Sequence, residues 1–294
     1  MFSLVLLSVF GLLVVCSLFA FCIKRWKLGL LLCIIVLVIN VFAKVIALHP
    51  FFQESRGSFK VLSFNVHSPG EAFDNNKNQI PSLVLSETPD FVYLPELGQK
   101  GNDIHASLKE IYPFTNAPEG IRDDQVEPIY SKWPIDTIEV LTLPHYYHSI
   151  YRAEISKGND TLSVYCCHLS SNLLSSYGGK YKSLQESYRR RALEADALYF
   201  ALKQDPFPSL VVGDMNDISG SYTARRIEKA GMKDAWWKGG LGYGATYHDH
   251  GLRLRLDHIL FDDSSFQLCD IKTVGGHLSD HKGLVASFQL LPKI

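Results

Sequence analysis

The first 48 residues are almost wholly apolar, and the rest of the chain has ordinary polarity; this contrast limits what the protein can fold into. Residues 1–23 carry no charged side chain. A bilayer core of about 30 Å needs roughly 20 apolar residues in a helix, so the stretch is long enough to span. A second run, Leu28 to Leu48, follows after the basic segment Lys24-Arg25-Trp26-Lys27 and contains Asn40 and Lys44. A lysine near a helix end can extend its stem to the interface, and an asparagine can bond to a neighbouring helix. The pattern predicts a transmembrane helical hairpin over residues 1–48. Cations concentrate in cytoplasmic loops, so the basic segment predicts an integral inner or plasma membrane protein with everything after the hairpin extracytoplasmic. A cleaved signal peptide fits less well, because the start lacks a basic region and a second span follows directly. Pro50 ends the second helix. Residues 49–58 then read as a linker and residues 59–294 as one domain.

The formal net charge of −1 gives no global attraction to a polyanion. Of the six cysteines, Cys16, Cys22 and Cys33 lie in the apolar stretch, Cys166 and Cys167 are adjacent in a strand-like run, and Cys269 stands apart. No spacing matches a zinc site or a disulfide framework. A bridge from Cys269 to either strand cysteine stays open.

Strand-like segments run from Phe59 to Asn65, Asp90 to Leu94, Pro128 to Pro134, Leu210 to Val212, Leu256 to Phe261 and Leu284 to Leu290. Tyr151 to Ile155 and Thr161 to Cys167 form a hairpin around Lys157-Gly158-Asn159-Asp160. Helical periodicity marks Ile80 to Glu87, Ser107 to Tyr112, Leu184 to Leu202 and Thr223 to Ala230. Strands outnumber helices and are interrupted by them, which predicts an α+β sandwich of mixed sheets covered by helices. Polar residues recur at strand ends: Asn65, Glu96, His168, Asp214, Asn216, Asp280 and His281. Each alone has a bland reading as a turn residue, a loop acid or a core histidine. Together they supply what phosphate-ester hydrolysis needs: oxygen donors for a hard cation, a carboxylate or imidazole to handle the attacking water, and donors for the phosphate oxygens.

The ordered set Ser63-Phe64-Asn65, Pro95-Glu96, Tyr130 to Ile135, His168-Leu169, Gly213-Asp214-Met215-Asn216, Arg255-Leu256-Asp257-His258-Ile259 and Ser279-Asp280-His281 resembles the endonuclease/exonuclease/phosphatase superfamily, the DNase I-like fold. The resemblance implies a four-layer αββα domain with two mixed sheets and a magnesium- or manganese-dependent hydrolase. Asn65 and Glu96 would hold the ion, with Asp280 nearby. Asp214 would activate the water, Asn216 and His168 would contact the phosphate, and His281, steadied by Asp257, would bind a phosphate oxygen or assist proton transfer. Two positions depart from the family pattern. Pro95 stands where glutamine is usual, removing a backbone donor and a side-chain amide, and His258 stands where an aromatic such as tyrosine is common.

A phosphodiester or phosphomonoester is expected, carried by a lipid headgroup, a nucleic acid or a small molecule, with the bilayer as the other partner and no protein partner implied. Three segments are candidates for specificity: His67 to Lys77, Ser170 to Lys182 and Gly239 to Arg253. Arg189-Arg190-Arg191 is either a solvated helix face or a phosphate contact, and helix geometry lets at most one or two of the three reach a ligand. An extracytoplasmic nuclease is the alternative enzyme. A catalytically silent, membrane-presented binding module is the alternative class, which loss of Glu96 or Asp214 would favour; both are present.

Overall fold

A computed structural model describes residues 25–43, 47–48, 59–68, 70–123, 126–141, 150–172, 180–249 and 251–292. In chain order these form α1 (Trp26–Ala43), β1 (Ala47–Leu48), β2 (Phe59–Ser63), α2 (Glu71–Asn76), α3 (Ile80–Glu87), β3 (Phe91–Tyr93), α4 (Asn102–Lys109), β4 (Phe114–Thr115), β5 (Ile129–Ser131), β6 (Ile135–Leu141), β7 (Ile150–Lys157) and β8 (Asp160–His168). They continue as α5 (Lys180–Gln204), β9 (Ser209–Asp214), α6 (Tyr222–Glu228), β10 (Met232–Asp234), α7 (Ala235–Gly239), β11 (Leu241–Gly242), β12 (Tyr247–Asp249), β13 (Leu252–Leu254), β14 (Asp257–Asp262), β15 (Phe266–Val274) and β16 (Gly283–Leu290).

Two six-stranded sheets dominate, ordered β10-β14-β9-β8-β7-β6 and β15-β16-β2-β3-β5-β4. Each is mixed: β8 pairs parallel with β9, and β2 pairs parallel with β3. Alternation along the strands divides the side chains among three cores. Leu162, Val164 and Cys166 of β8, Leu210 and Val212 of β9, and Val61, Tyr93, Leu284 and Ala286 of the other sheet meet between the sheets. The opposite parity of β8 and β9, Tyr165, Cys167 and Val211, packs with Leu198 of α5 and Ile227 of α6. Leu62, Val92 and Val285 pack outward with Val84 of α3 and Leu108 of α4. The order is therefore helix, sheet, sheet, helix. The α+β class and the two mixed sheets expected from the sequence are present.

Two elements differ from expectation for physical reasons. The helix read from Ser107 begins at Asn102, because Ile104, His105 and Leu108 share its buried face. The long strand β15 is absent from the strands expected above, because the shift of its register with β16 between Leu268 and Asp270 interrupts the period-two alternation. Cys33, Cys166, Cys167 and Cys269 are all free, which closes the disulfide left open above.

Of the expected hairpin, the first span, residues 1–23, lies outside the described residues. The second coincides in part with α1, whose 18 residues reach about 27 Å at the rise of an α-helix. No helix among the described residues is long and apolar enough to cross a membrane. The last residues of that apolar run, Ala47 and Leu48, instead pair antiparallel with Gly242 and Leu241, and Ala47 is buried in the inter-sheet core with Trp236.

Candidate active site

The site forms where the inter-sheet face changes from apolar to polar. His168 and Asp214 are register partners across β8 and β9, and Asp214 and Asp257 across β9 and β14. Partners in register project to the same face, and the period of two carries the row Cys166, Val212, Ile259 directly into the row His168, Asp214, Asp257. The facing sheet supplies the rest. Phe64 N donates to Tyr93 O at 3.0 Å and Val66 N to Pro95 O at 3.2 Å, so the β2 and β3 chains stay paired past their strand ends. That places Asn65 beside Glu96, whose backbone turns through a positive φ of 59°. Gly213, just before Asp214, has φ +135°, and a Cβ there would lie 1.9 Å from the Cys167 carbonyl oxygen. Glycine is what lets β9 approach β8 at this row.

Asn65 Nδ2 donates to Glu96 Oε1 at 2.8 Å and to Asp214 Oδ2 at 3.1 Å, tying the two sheets together. Its Oδ1 accepts the His67 backbone N–H at 3.0 Å. His67 Nδ1 lies 3.0 Å from Glu96 Oε2. The Glu96 carboxylate is therefore supported from the β2 side, which answers the loss of donors at Pro95. Burial opposes ionisation of Glu96, but the His67 hydrogen bond, the His168 charge and the Asn65 amide outweigh it and hold the carboxyl at about 2.

Two histidines are each pinned at Nδ1 by a buried acid. His281 Nδ1 is 2.7 Å from Asp257 Oδ2, and its Nε2 is 3.7 Å from Asp214 Oδ2. His168 Nδ1 bonds Glu127 Oε1, and its Nε2 is 3.5 Å from Glu96 Oε1. Burial works against the imidazolium in both. The charges of Glu127 on His168, and of Asp257 and Asp214 on His281, prevail and lift each to about 10. The reverse holds for Asp214, whose carboxyl is raised by burial and by the neighbouring Asp257 charge. A carboxylate on one ring nitrogen fixes the tautomer and aims the other nitrogen, so both Nε2–H groups point at the acids of the site.

Glu96, His168 and Asp214 bring one donor atom each within 4.8 Å of one another, and so do Asp214, Asp257 and His281. Asp257 Oδ1 is buried with no hydrogen-bond partner. Oxygen-rich donors of this kind suit a hard divalent cation. Asp280 enters neither group; its charge acts on His67 and His281, and its Oδ1 accepts from Ser279 Oγ at 3.1 Å. Asn216, at φ 48°, donates its amide to Leu169 O at 2.8 Å and its backbone N–H to Asp214 Oδ1 at 2.8 Å, so it braces the loop that carries Asp214.

Glu127 and His67 were not singled out from the sequence. Glu127 lies two residues before the inward Ile129 of β5, and that parity was the available signal. His258 is buried, with Nε2 3.0 Å from Asp217 O and Nδ1 3.4 Å from Asp234 Oδ2, behind the site rather than in it. The arginine cluster divides as helix geometry requires: Arg189 and Arg190 pair with Glu186, while Arg191 is buried and donates to Ser170 O at 2.8 Å. Of the three specificity segments, residues 173–179 lie outside the described residues.

The sequence pattern of the Endonuclease/Exonuclease/phosphatase family matches residues 62–281, more than half of the 294. The chain belongs to that family. No curated protein sequence matches this family member. Among solved structures, D. rerio TDP2 complexed with a single-strand DNA product shares 16% identity at a TM-score of 0.63, covering 79% of this chain and 98% of that one. The human Nocturnin catalytic domain with bound sulfate shares 14% at 0.60, covering 82% and 97%. The beta toxin of Staphylococcus aureus shares 17% at 0.57, covering 78% and 99%. At these identities the likeness speaks to the fold, and it places this member of the endonuclease/exonuclease/phosphatase family on the same scaffold as all three.

Proposed function

We propose that the chain is a divalent-metal-dependent phosphodiesterase displayed at a membrane surface. The observation that carries the reading is the pair of imidazoles, each held at Nδ1 by a buried carboxylate and directing Nε2 toward Asp214 and Glu96. Glu96 and Asp214, with the Asn65 amide oxygen alongside, would hold magnesium or manganese, and the ion would neutralise phosphate charge and stabilise the leaving oxygen. Asp214 orients the attacking water and accepts its proton, a role suited to a carboxyl lifted by burial. His168 and His281, charged at neutral pH, donate from Nε2 to the non-bridging oxygens as negative charge builds. Glu127 and Asp257 keep those imidazoles charged and in place.

Membrane display rests on the apolar sequence of residues 1–23, which would tether the domain and raise its effective concentration for surface substrates. Protease added to intact cells should degrade the catalytic domain; full protection would contradict the outward orientation. A nuclease is the second reading, favoured by the fold shared with a TDP2 that holds a single-strand DNA product.

The test of substrate class is a panel on the full chain: bis-p-nitrophenyl phosphate, p-nitrophenyl phosphate, single-stranded DNA, sphingomyelin and an inositol phosphate, each with magnesium. Cleavage of diesters ahead of the monoester is the expected result, and exclusive cleavage of the monoester would contradict it.

A further inference from the structure

The described residues include a cleft of about 410 Å³ beside the catalytic centre, lined by His248, Arg253 and Lys282 over the apolar surfaces of Trp236 and Leu241. No carboxylate lines it. The catalytic centre has the opposite character, with Glu96, Glu127, Asp214 and Asp257 clustered around two histidines.

The cleft and the centre share a wall. Tyr247 and His281 form an isolated bridge, and their rings stack edge-on at 5.0 Å. Their sequence neighbours, His248 and Lys282, line the cleft, and adjacent residues of an extended chain project to opposite sides. Arg253 is the register partner of His248 across β12 and β13, which puts its side chain on the cleft side as well. The wall is fixed to the catalytic row. Lys282 N donates to Thr246 O at 2.6 Å, His248 N donates to Asp280 O at 2.8 Å, and Thr246 Oγ1 accepts the Asp257 N–H at 3.0 Å. A group bound in the cleft is thereby held in a defined position relative to His281.

We propose that this cleft binds a second phosphate of the substrate, so that the enzyme prefers esters carrying another phosphoryl group near the scissile one. The inference rests on the phosphodiesterase reading and deepens it. The acid-lined centre would repel a second phosphoryl group, and a basic cleft with no carboxylate in its lining is the place to receive it. Arg253 and Lys282 supply the charge, and His248 adds a ring donor.

The test compares the p-nitrophenyl 5′-ester of thymidine 3′,5′-bisphosphate with the same ester of thymidine 5′-phosphate, using the full chain with magnesium. The expected kcat/KM ratio is about tenfold or more in favour of the bisphosphate, falling to near one in Arg253→Gln and in Lys282→Gln. The ratio is independent of how much of a variant folds. A parallel calorimetric titration measures binding of thymidine 3′,5′-bisphosphate and of inositol 1,4-bisphosphate against the matching monophosphates, which separates a nucleotide source from a headgroup source. A bisphosphate preference in either pair, lost in both variants, supports the cleft even if neither ester is hydrolysed; in that case the phosphodiesterase reading fails and the binding site stands. Equal binding and equal rates in both pairs, or a preference that survives both substitutions, would overturn the proposal.

Discussion

The Asp257 carboxylate lies 2.7 Å from His281 Nδ1 through one oxygen and leaves the other buried without a hydrogen-bond partner. That geometry makes Asp257 the anchor of a charged imidazole rather than a structural cap. Asp257→Asn should keep the fold, since the side chain is nearly isosteric, but it removes the charge that holds His281 protonated. Loss of one electrostatic donor in such a site costs about 10²–10³-fold in kcat. A rate on bis-p-nitrophenyl phosphate within threefold of the parent would show that His281 does not act as the cation assigned to it.

Glu127→Gln separates the second imidazole from its acid. His168 should then lose its largest upward cause. Nuclear magnetic resonance of the ring protons should show His168 titrating well below its parent value while His281 stays high. Unchanged titration of His168 would mean that Asp214 and Glu96 suffice to hold its charge.

Stability should depend on pH with a definite sign. His168 and His281 are raised from 6.5 to about 10 on folding. A group raised on folding contributes fully below its unfolded value and loses that contribution as pH rises through its folded value. Glu96 is lowered from 4.5 to about 2, so its contribution is present above 4.5 and disappears as pH falls toward 2. In EDTA, the melting temperature should decline from about pH 6.5 toward pH 10 and also from about pH 4.5 downward. A melting temperature that rises between pH 7 and pH 10 would contradict the two carboxylate–imidazole pairs.

Gly213→Ala tests the close approach of β9 to β8. The added Cβ meets the backbone oxygen of Cys167, which no side chain rotation relieves. The substitution should destabilise the fold by more than about 2 kcal/mol, the range of strained backbone plus steric conflict. A melting temperature equal to the parent's would mean that the two strands part more easily than their register implies.

Much of this site was legible in sequence because its residues end strands whose apolar alternation is regular. His168, Asp214 and Asp257 each continue an inward parity set by Cys166, Val212 and Ile259, and Asn65 follows Val61 and Ser63 in the same way. Glu127 was missed because β5 is only three residues long, too short for alternation to point at the acid before it. His67 was missed because its role depends on the positive φ of Glu96, which local sequence does not announce. The arginine run looked like a candidate because charge is visible in sequence, whereas the groups that occupy it, Glu186 and Ser170, are brought in by packing; His258, which stood out as a departure from the family pattern, is occupied in the same way by Asp217 and Asp234.

The central claim is that Asp214 activates water in a metal-dependent diesterase. The direct measurement is the rate of bis-p-nitrophenyl phosphate hydrolysis by the full chain and by Asp214→Asn, each with magnesium and with EDTA. The account predicts turnover that EDTA abolishes and magnesium restores, and at least about a 10³-fold loss in Asp214→Asn at an unchanged melting profile. Turnover that persists in EDTA, or that survives the substitution at near the parent rate, would contradict it.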